Sequence, residues 1–344
     1  LKRILCIIIC GVMLISVLSG CNGVKNSVDT PEGEVTIPVP EEGEILCVGE
    51  AACRVDIAKL FVAAQKSLMS GAFEEAIWSV QIGGENLEAY VSDGLRSRIA
   101  LFFATAQMAK ADGLTLSESE QALVNGAAAA FYRQLSDTDQ DLIELSLDEL
   151  TEFFSDYRLA VLEYKAICSE KSVEVSEDEA RIICLQQIKI VTKGLDDVAL
   201  EEKRLKMEEC LEQLEKGMDF LVAARRYNEG GEIEFQVARG DLSEPANSEA
   251  FALATGEVSG LIEMGGSFLV LKCINSFVEE ESEARRQMLL EEKGKTYFSE
   301  KLMTFLKSHP LVWNETEWDS LSLESFPDST QLNFSKVYKK YFGG

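Results

Sequence analysis

The sequence predicts an α+β protein in which an α-helical domain is interrupted by a small α/β sandwich. Three observations carry that expectation. Between Leu87 and Ser169, apolar residues recur at three-and-four spacing behind serine caps. From residue 172 to 278 the pattern changes to strand, helix, helix, strand, short helix, strand. From Glu279 to His309 a long charged helical pattern resumes, too long for the sandwich and expected to return to the helical domain. A chain of 344 residues with 46% hydrophobic and 27% charged content has room for two cores.

Each element has its own signal. In the helical part, Leu87, Val91, Leu95, Ile99, Phe102, Phe103 and Ala106 form one stripe that stops at Gly113. Ser117 with Glu120 and Ser146 with Glu149 are capping boxes ahead of two further helices. The first of these is expected to turn Leu123, Ala127 and Phe131 inward, and FVAAQKSLM, earlier in the chain, adds a fourth helix. The whole stretch from Ile45 to Ser169 reads as helical.

Ser176 and Glu179 then introduce RIICLQQIKIVTKG, whose β-branched alternation around Ile188 and Ile190 predicts a half-buried strand. LEEKRLKMEECLEQLEKG predicts an amphipathic helix with Leu205, Met207, Cys210, Leu211 and Leu214 inward and Gly217 as its stop. A short helix capped by Asp219 follows and is closed by Gly230 and Gly231. EIEFQVARG, the short helical SEAFAL, the turn ATGEVSG and the strand SFLVLKCI complete the sandwich. In the last long helix, Met288, Leu289, Tyr297, Phe298, Leu302, Phe305 and Leu306 make an apolar stripe. The tail aromatics, Trp313, Trp318, Phe326, Phe334, Tyr338, Tyr341 and Phe342, are expected to pack on the body.

The N-terminus carries a different kind of message. Lys2 and Arg3 precede the apolar run ILCIIICGVMLISVL, which ends in LSGC at Cys21. A charged start, an apolar stretch too short to span a bilayer comfortably and small residues at a cleavage point predict a signal peptide over 1–20. LSGC resembles a bacterial lipobox, which implies a lipid on Cys21, an extracytoplasmic location and attachment to the outer face of the cell membrane, by analogy of the Gram-positive type. Lipid chains supply such an anchor at about 0.8 kcal/mol per buried methylene. Residues 22–44, with three of the six prolines, predict a tether. The expected domains are then 1–20, 21–44, 45–171, 172–278 and 279–344.

Composition excludes several function classes. With 33 basic and 59 acidic residues the net charge is −26, which repels nucleic-acid phosphate, and no basic patch offsets it. Of nine cysteines, Cys6 and Cys10 are expected to leave with the signal, and the lipobox resemblance implies a lipid on Cys21. Cys47, Cys53, Cys168, Cys184, Cys210 and Cys273 remain; Cys184, Cys210 and Cys273 lie in apolar-periodic segments and read as buried thiols, while disulfide pairing stays open. No P-loop, dinucleotide fingerprint or zinc spacing occurs, so neither cofactor nor metal is expected. DTDQDLIELSLD, from Asp137, lacks the glycine and terminal glutamate of a calcium loop. The one histidine, His309, stands beside Pro310 at a helix end and reads as a cap.

The pattern over 172–278 resembles the parvulin type of peptidyl-prolyl isomerase. RGDL, Phe-Ala-Leu and Thr-Gly-Glu-Val-Ser-Gly between Arg239 and Gly260 carry the resemblance, with LEQLEKGMDFLVAARRYNE upstream. With the flanking lipobox, helical domain and returning helix, nearly the whole mature chain is similar to the PrsA and SurA class of extracytoplasmic foldases. The resemblance implies a peptide-binding pocket with two histidines and a cysteine or aspartate. Here Gln187 takes the first histidine position, Leu269 the second, and Gly230 the third. Leu242 and Ala246 stand where the family has a methionine and a phenylalanine, and Phe251 belongs to the same region. The implied peptide-binding set is thus Gln187, Leu242, Ala246, Phe251 and Leu269. Phe251 and Leu253 also read as sandwich core.

Amide resonance sets a barrier of about 18–20 kcal/mol to X-Pro rotation. It is lowered by binding the twisted amide through desolvation and orienting hydrogen bonds, with no covalent nucleophile needed. Glutamine offers such a bond, leucine none, and glycine only backbone. Weak or lost isomerase activity is therefore expected, in a foldase or holdase whose partners are unfolded or partly folded exported polypeptides and their X-Pro segments. Two alternatives are an active isomerase using Gln187 and a structural surface lipoprotein with one dedicated partner. Oligomeric state stays open, with a dimer among the possibilities.

Overall fold

The computed structural model describes residues 27–30, 33–70, 81–82, 85–170, 172–323, 326 and 332–343. The expected signal peptide and Cys21 lie outside them. The chain is mixed helix and sheet and forms two compact units, one from the chain through residue 170 and again from 296 onward, the other from 171–295. Among the described residues, no helix is long and apolar enough to cross a membrane.

The first unit begins with a short antiparallel pair, β1 (Ser27–Thr30) and β2 (Gly33–Thr36), inside the stretch read as a tether. A hairpin follows, β3 (Glu44–Val48) and β4 (Ala51–Arg54), turning at Gly49 with φ +56°. This corrects the all-helical reading from Ile45. Its third strand, β11 (Leu311–Trp313), arrives from the far end of the chain and pairs Leu311 with Val48 and Trp313 with Leu46.

Helices supply the rest of that unit: α1 (Val55–Ser70), the two-residue strands β5 (Gln81–Ile82) and β6 (Glu85–Asn86), then α2 (Leu87–Ala111), α3 (Glu118–Tyr132), α4 (Asp137–Ile143) and α5 (Leu147–Cys168). Both expected capping boxes are present, with Ser117 and Ser146 accepting from the backbone of Glu120 and Glu149. A third, Ser136 with Asp139, opens α4, so the segment weighed as a calcium loop is a capped helix. Val124 and Ala128, with Ala127 and Phe131, face the core from α3, whereas Leu123 is exposed, a correction by one position on the wheel. Leu60, Leu95, Ile99, Phe131, Ile143, Leu150 and Phe154 are fully buried.

The second unit holds α6 (Glu177–Ala180), β7 (Ile182–Val191), α7 (Asp197–Glu215), α8 (Phe220–Tyr227), β8 (Glu234–Ala238), α9 (Ala246–Ala252), β9 (Ile262–Met264) and β10 (Ser267–Asn275). Its antiparallel sheet runs β8-β7-β10-β9. Side chains alternate along each strand. Ile183 and Leu185 join Leu269, Leu271 and Cys273 on the face toward α9, and Ile188, Ile190, Phe268 and Val270 meet α7 and α8 on the other. Met207 and Cys210 of α7 are buried as expected, but Leu205 is 56% exposed, because the charged face of α7 extends over its position.

The long helix α10 (Glu279–Ser308) is continuous through residue 295, so one helix serves both units in turn. Of its expected stripe, Phe298 and Leu302 are buried and Met288 is exposed. The tail forms α11 (Glu315–Ser320) and α12 (Phe334–Phe342). Its aromatics pack on the body: Phe334 lies 5.1 Å from Phe61, 5.0 Å from Phe153 and 5.3 Å from Tyr157, between ring centroids. His309 stacks on Phe305 at 4.1 Å. Cys47, Cys53, Cys184, Cys210 and Cys273 are free thiols, and Cys168 is half-buried at the end of α5.

Candidate functional site

In the sheet unit, β7 and β10 set the first site. Register places Gln187 opposite Leu271 and Leu269 opposite Lys189, so Gln187 and Leu269 share the face toward α9. Leu242, Ala246 and Phe251 reach the same cluster from the turn after β8 and from α9. The sequence-derived apolar set is therefore brought together. Leu269, Ala246 and Phe251 are buried core, while Gln187 and Leu242 keep partial exposure. The Phe251 ring is flanked by two guanidinium groups, Arg181 at 5.1 Å and Arg239 at 4.6 Å, both paired with Asp178.

Gln187 is not a bare donor aimed at solvent. Where β8 stops, residues 228–233 run beside β7 and take over its hydrogen bonds: Lys189 N donates to Asn228 Oδ1, and Gln187 N donates to Ile233 O at 2.8 Å. The Gln187 side chain donates Nε2 to the carbonyl of Glu232 at 2.6 Å. A buried or half-buried amide satisfied in this way gives up that bond only at a cost. Gly230 sits in the same segment, with Val191 its nearest neighbour for an added Cβ, at 3.8 Å. Its neighbour Gly231, with φ +80°, is the residue that closes on Gln187. Gly230, which stands at the third pocket position by resemblance, is thus one residue from the glycine that packs on Gln187.

The helical unit holds a second site that sequence reasoning did not isolate. Three helices each present one stripe at positions 0, 3, 4 and 7: Phe61, Ala64, Gln65 and Leu68 from α1, Arg98, Leu101, Phe102 and Thr105 from α2, Tyr157, Ala160, Val161 and Tyr164 from α5. Phe298 and Phe334 close the floor of a cleft of about 310 Å³. Its rim carries Leu68 at 49% and Leu101 at 39% exposure, large apolar groups left to water. Thr105 Oγ1 donates to Leu101 O at 2.7 Å, so its hydroxyl is satisfied within α2. Burial pushes the Tyr157 phenol pKa upward, keeping it neutral.

Among the described residues, Arg98 is the one charged residue lining this cleft. Its Nη2 donates to Gln65 Oε1 at 2.6 Å, a neutral acceptor. Although solvent reaches Arg98, the protein around it lowers its pKa from the ordinary arginine value. A guanidinium stays charged under such a shift. Among the described residues, no group of three or more histidine, cysteine, aspartate or glutamate side chains is placed to hold a metal ion.

No family model matches the chain. No curated protein matches it either. Among solved structures, the chain is similar to the foldase protein PrsA from Lactococcus lactis, at 14% identity and TM-score 0.33, over 82% of this chain and 98% of that one. The PrsA peptidylprolyl isomerase from Bacillus cereus matches at 15% identity and TM-score 0.33, over 77% and 99%. A SurA-like chaperone from Campylobacter jejuni matches at 8% identity and TM-score 0.27, over 79% and 99%. The chain is thus similar, along most of its length, to PrsA and SurA-like folding factors of several bacteria.

Proposed function

We propose that this protein is an extracytoplasmic folding factor that holds apolar segments of unfolded exported polypeptides in the α1/α2/α5 cleft. The observation that carries the proposal is the cleft itself: three helical stripes converge on an open apolar surface with two large leucines at its rim. Contiguous apolar surface of this kind, unlike a single exposed leucine, is what marks a binding site. The parvulin-like sequence pattern over 172–278 supports the same class of activity, with the sheet unit as an ancillary peptide-binding module.

Isomerase activity is weak or lost in this reading. Leu269 is buried and apolar, Gly230 brings no side chain, and Gln187 already donates to Glu232 O. Attachment to the membrane through a lipid on Cys21 belongs to the proposal and rests on the LSGC motif. Substituting Cys21 by alanine is then expected to release the protein from the membrane fraction.

The test is suppression of aggregation of a chemically unfolded client protein. The wild type is expected to suppress it, and the double variant Leu68→Asp with Leu101→Asp to lose most of that effect with its circular dichroism unchanged. Equal suppression by a folded double variant overturns the cleft assignment.

A further inference from the structure

We infer that the cleft of the helical unit selects chain ends: it receives the C-terminus of an unfolded polypeptide, with the last large apolar side chain inside and the free α-carboxylate on Arg98. This rests on the cleft being the client site, and it names which part of a client enters.

Charge argues for the carboxylate. The chain carries a net charge of −26, with 59 acidic residues to satisfy its 33 basic ones. Three other arginines of the unit are paired with carboxylates, Arg54 with Asp56 and Glu149, Arg96 with Glu315, and Arg158 with Glu120, while Arg133 lies outside the cleft and donates to Ala129 O. Among the described residues, Arg98 has Gln65 Oε1 as its hydrogen-bond partner, and it stands beside exposed Leu101 on the same helix. A guanidinium presents a fork of donors that matches a carboxylate in two-point contact. A client's apolar side chain seated beside it would exclude water there and strengthen that contact.

Backbone chemistry argues for a chain end over an internal stretch. A segment running through the cleft would place peptide N–H and C=O groups on both sides of its anchor against apolar walls, and each unpaired group has a desolvation cost. Three of the lining's polar side chains are already engaged, since Thr105 is bonded to Leu101 O, Gln65 to Arg98 and Ser335 to Asn333, which leaves the Tyr157 hydroxyl and Arg98 to meet a ligand. A terminus brings one apolar side chain and one carboxylate together and leaves the rest of the chain outside. The volume of about 310 Å³ suits that small load. The overall negative charge of the protein also favours a ligand with one carboxylate over one rich in acidic residues.

The experiment measures anisotropy of rhodamine-labelled hexapeptides ending in Leu-Phe, titrated with the full chain. The three probes are the free acid, the C-terminal amide, and an amidated version with a glutamate appended. The free acid is expected to bind about tenfold tighter than the amide. Arg98→Gln should reduce that ratio to near one, and Arg98→Lys should restore part of it. Equal affinity of acid and amide, with both weakened by Leu101→Asp, overturns the carboxylate assignment and leaves the cleft as client site standing. An appended glutamate that binds as well as the free acid overturns the chain-end assignment. Binding of all three probes that ignores Leu101→Asp overturns the client-site reading itself. Circular dichroism and the urea midpoint of each variant confirm that the fold is intact, as expected for substitutions at exposed positions.

Discussion

A methyl group on Gly231 would stand 2.7 Å from Nε2 of Gln187. The backbone there is left-handed, at φ +80°, which adds strain for any other residue. Gly231→Ala is therefore expected to destabilise the protein by about 1–3 kcal/mol. Urea denaturation followed by tyrosine and tryptophan fluorescence measures it, and Gly230→Ala serves as the milder comparison, since its Cβ meets only Val191 at 3.8 Å.

The same geometry bears on catalysis. With Nε2 of Gln187 bound to Glu232 O, the sheet unit is expected not to accelerate X-Pro rotation above its spontaneous rate of tens to hundreds of seconds. Exchange spectroscopy on X-Pro peptides tests this. Saturable acceleration that falls in Gln187→Ala would show that the amide is recruited despite its bond.

Phe334 ties the tail to the helical core through Phe61, Phe153 and Tyr157. Removing a ring so enclosed forfeits transfer energy and leaves a cavity, so Phe334→Ala should cost about 3–5 kcal/mol. Calorimetry of the variant checks it.

Glu163 gives the helical unit a pH dependence. Burial, assisted by Asp112 and Glu170, pushes its carboxyl pKa up to about 7, against the pull of Lys301. Below the ordinary carboxylate range, folded and unfolded chains both hold the proton and nothing is gained or lost. Between about 4.5 and 7 the unfolded chain releases it first, so stability falls as pH rises, by at most about 3 kcal/mol once above 7. Glu163→Gln should be more stable than wild type at pH 8 and equal to it at pH 4, which urea midpoints at the two values will reveal.

Local signals in the sequence led to local structure. Ser117 with Glu120 and Ser146 with Glu149 mark helix starts because the cap is made within four residues. Ser136 with Asp139 makes the same cap with a shorter carboxylate at the third position, outside the usual Glu/Gln pattern. The β3/β4 hairpin was hidden differently. Its Gly49–Glu50 turn between short apolar runs is legible, yet the strand that completes the sheet, Leu311–Trp313, is far along the chain.

The sites divide along the same line. Gln187 and Leu269 share one face through alternation along β7 and β10, a local property that each strand's own sequence carries. The cleft was missed because Leu68, Arg98 and Tyr164 each look ordinary on their own helix, and only the packing of α1, α2 and α5 makes them neighbours. Leu205 and Met288 were assigned inward by helical spacing, but spacing does not say whether another element covers that face.

A polypeptide is made from its N-terminus, and that order falls unequally on the two units. The sheet unit is contiguous over 171–295 and has all its strands as soon as that stretch has emerged. The helical unit begins first and finishes last: Val48 and Leu46 wait for Leu311 and Trp313, and Phe61 waits for Phe334. Throughout that interval α1, α2 and α5 lack part of their floor and carry exposed apolar stripes of their own. For most of its own synthesis, then, the unit that starts first is the one that stays open longest.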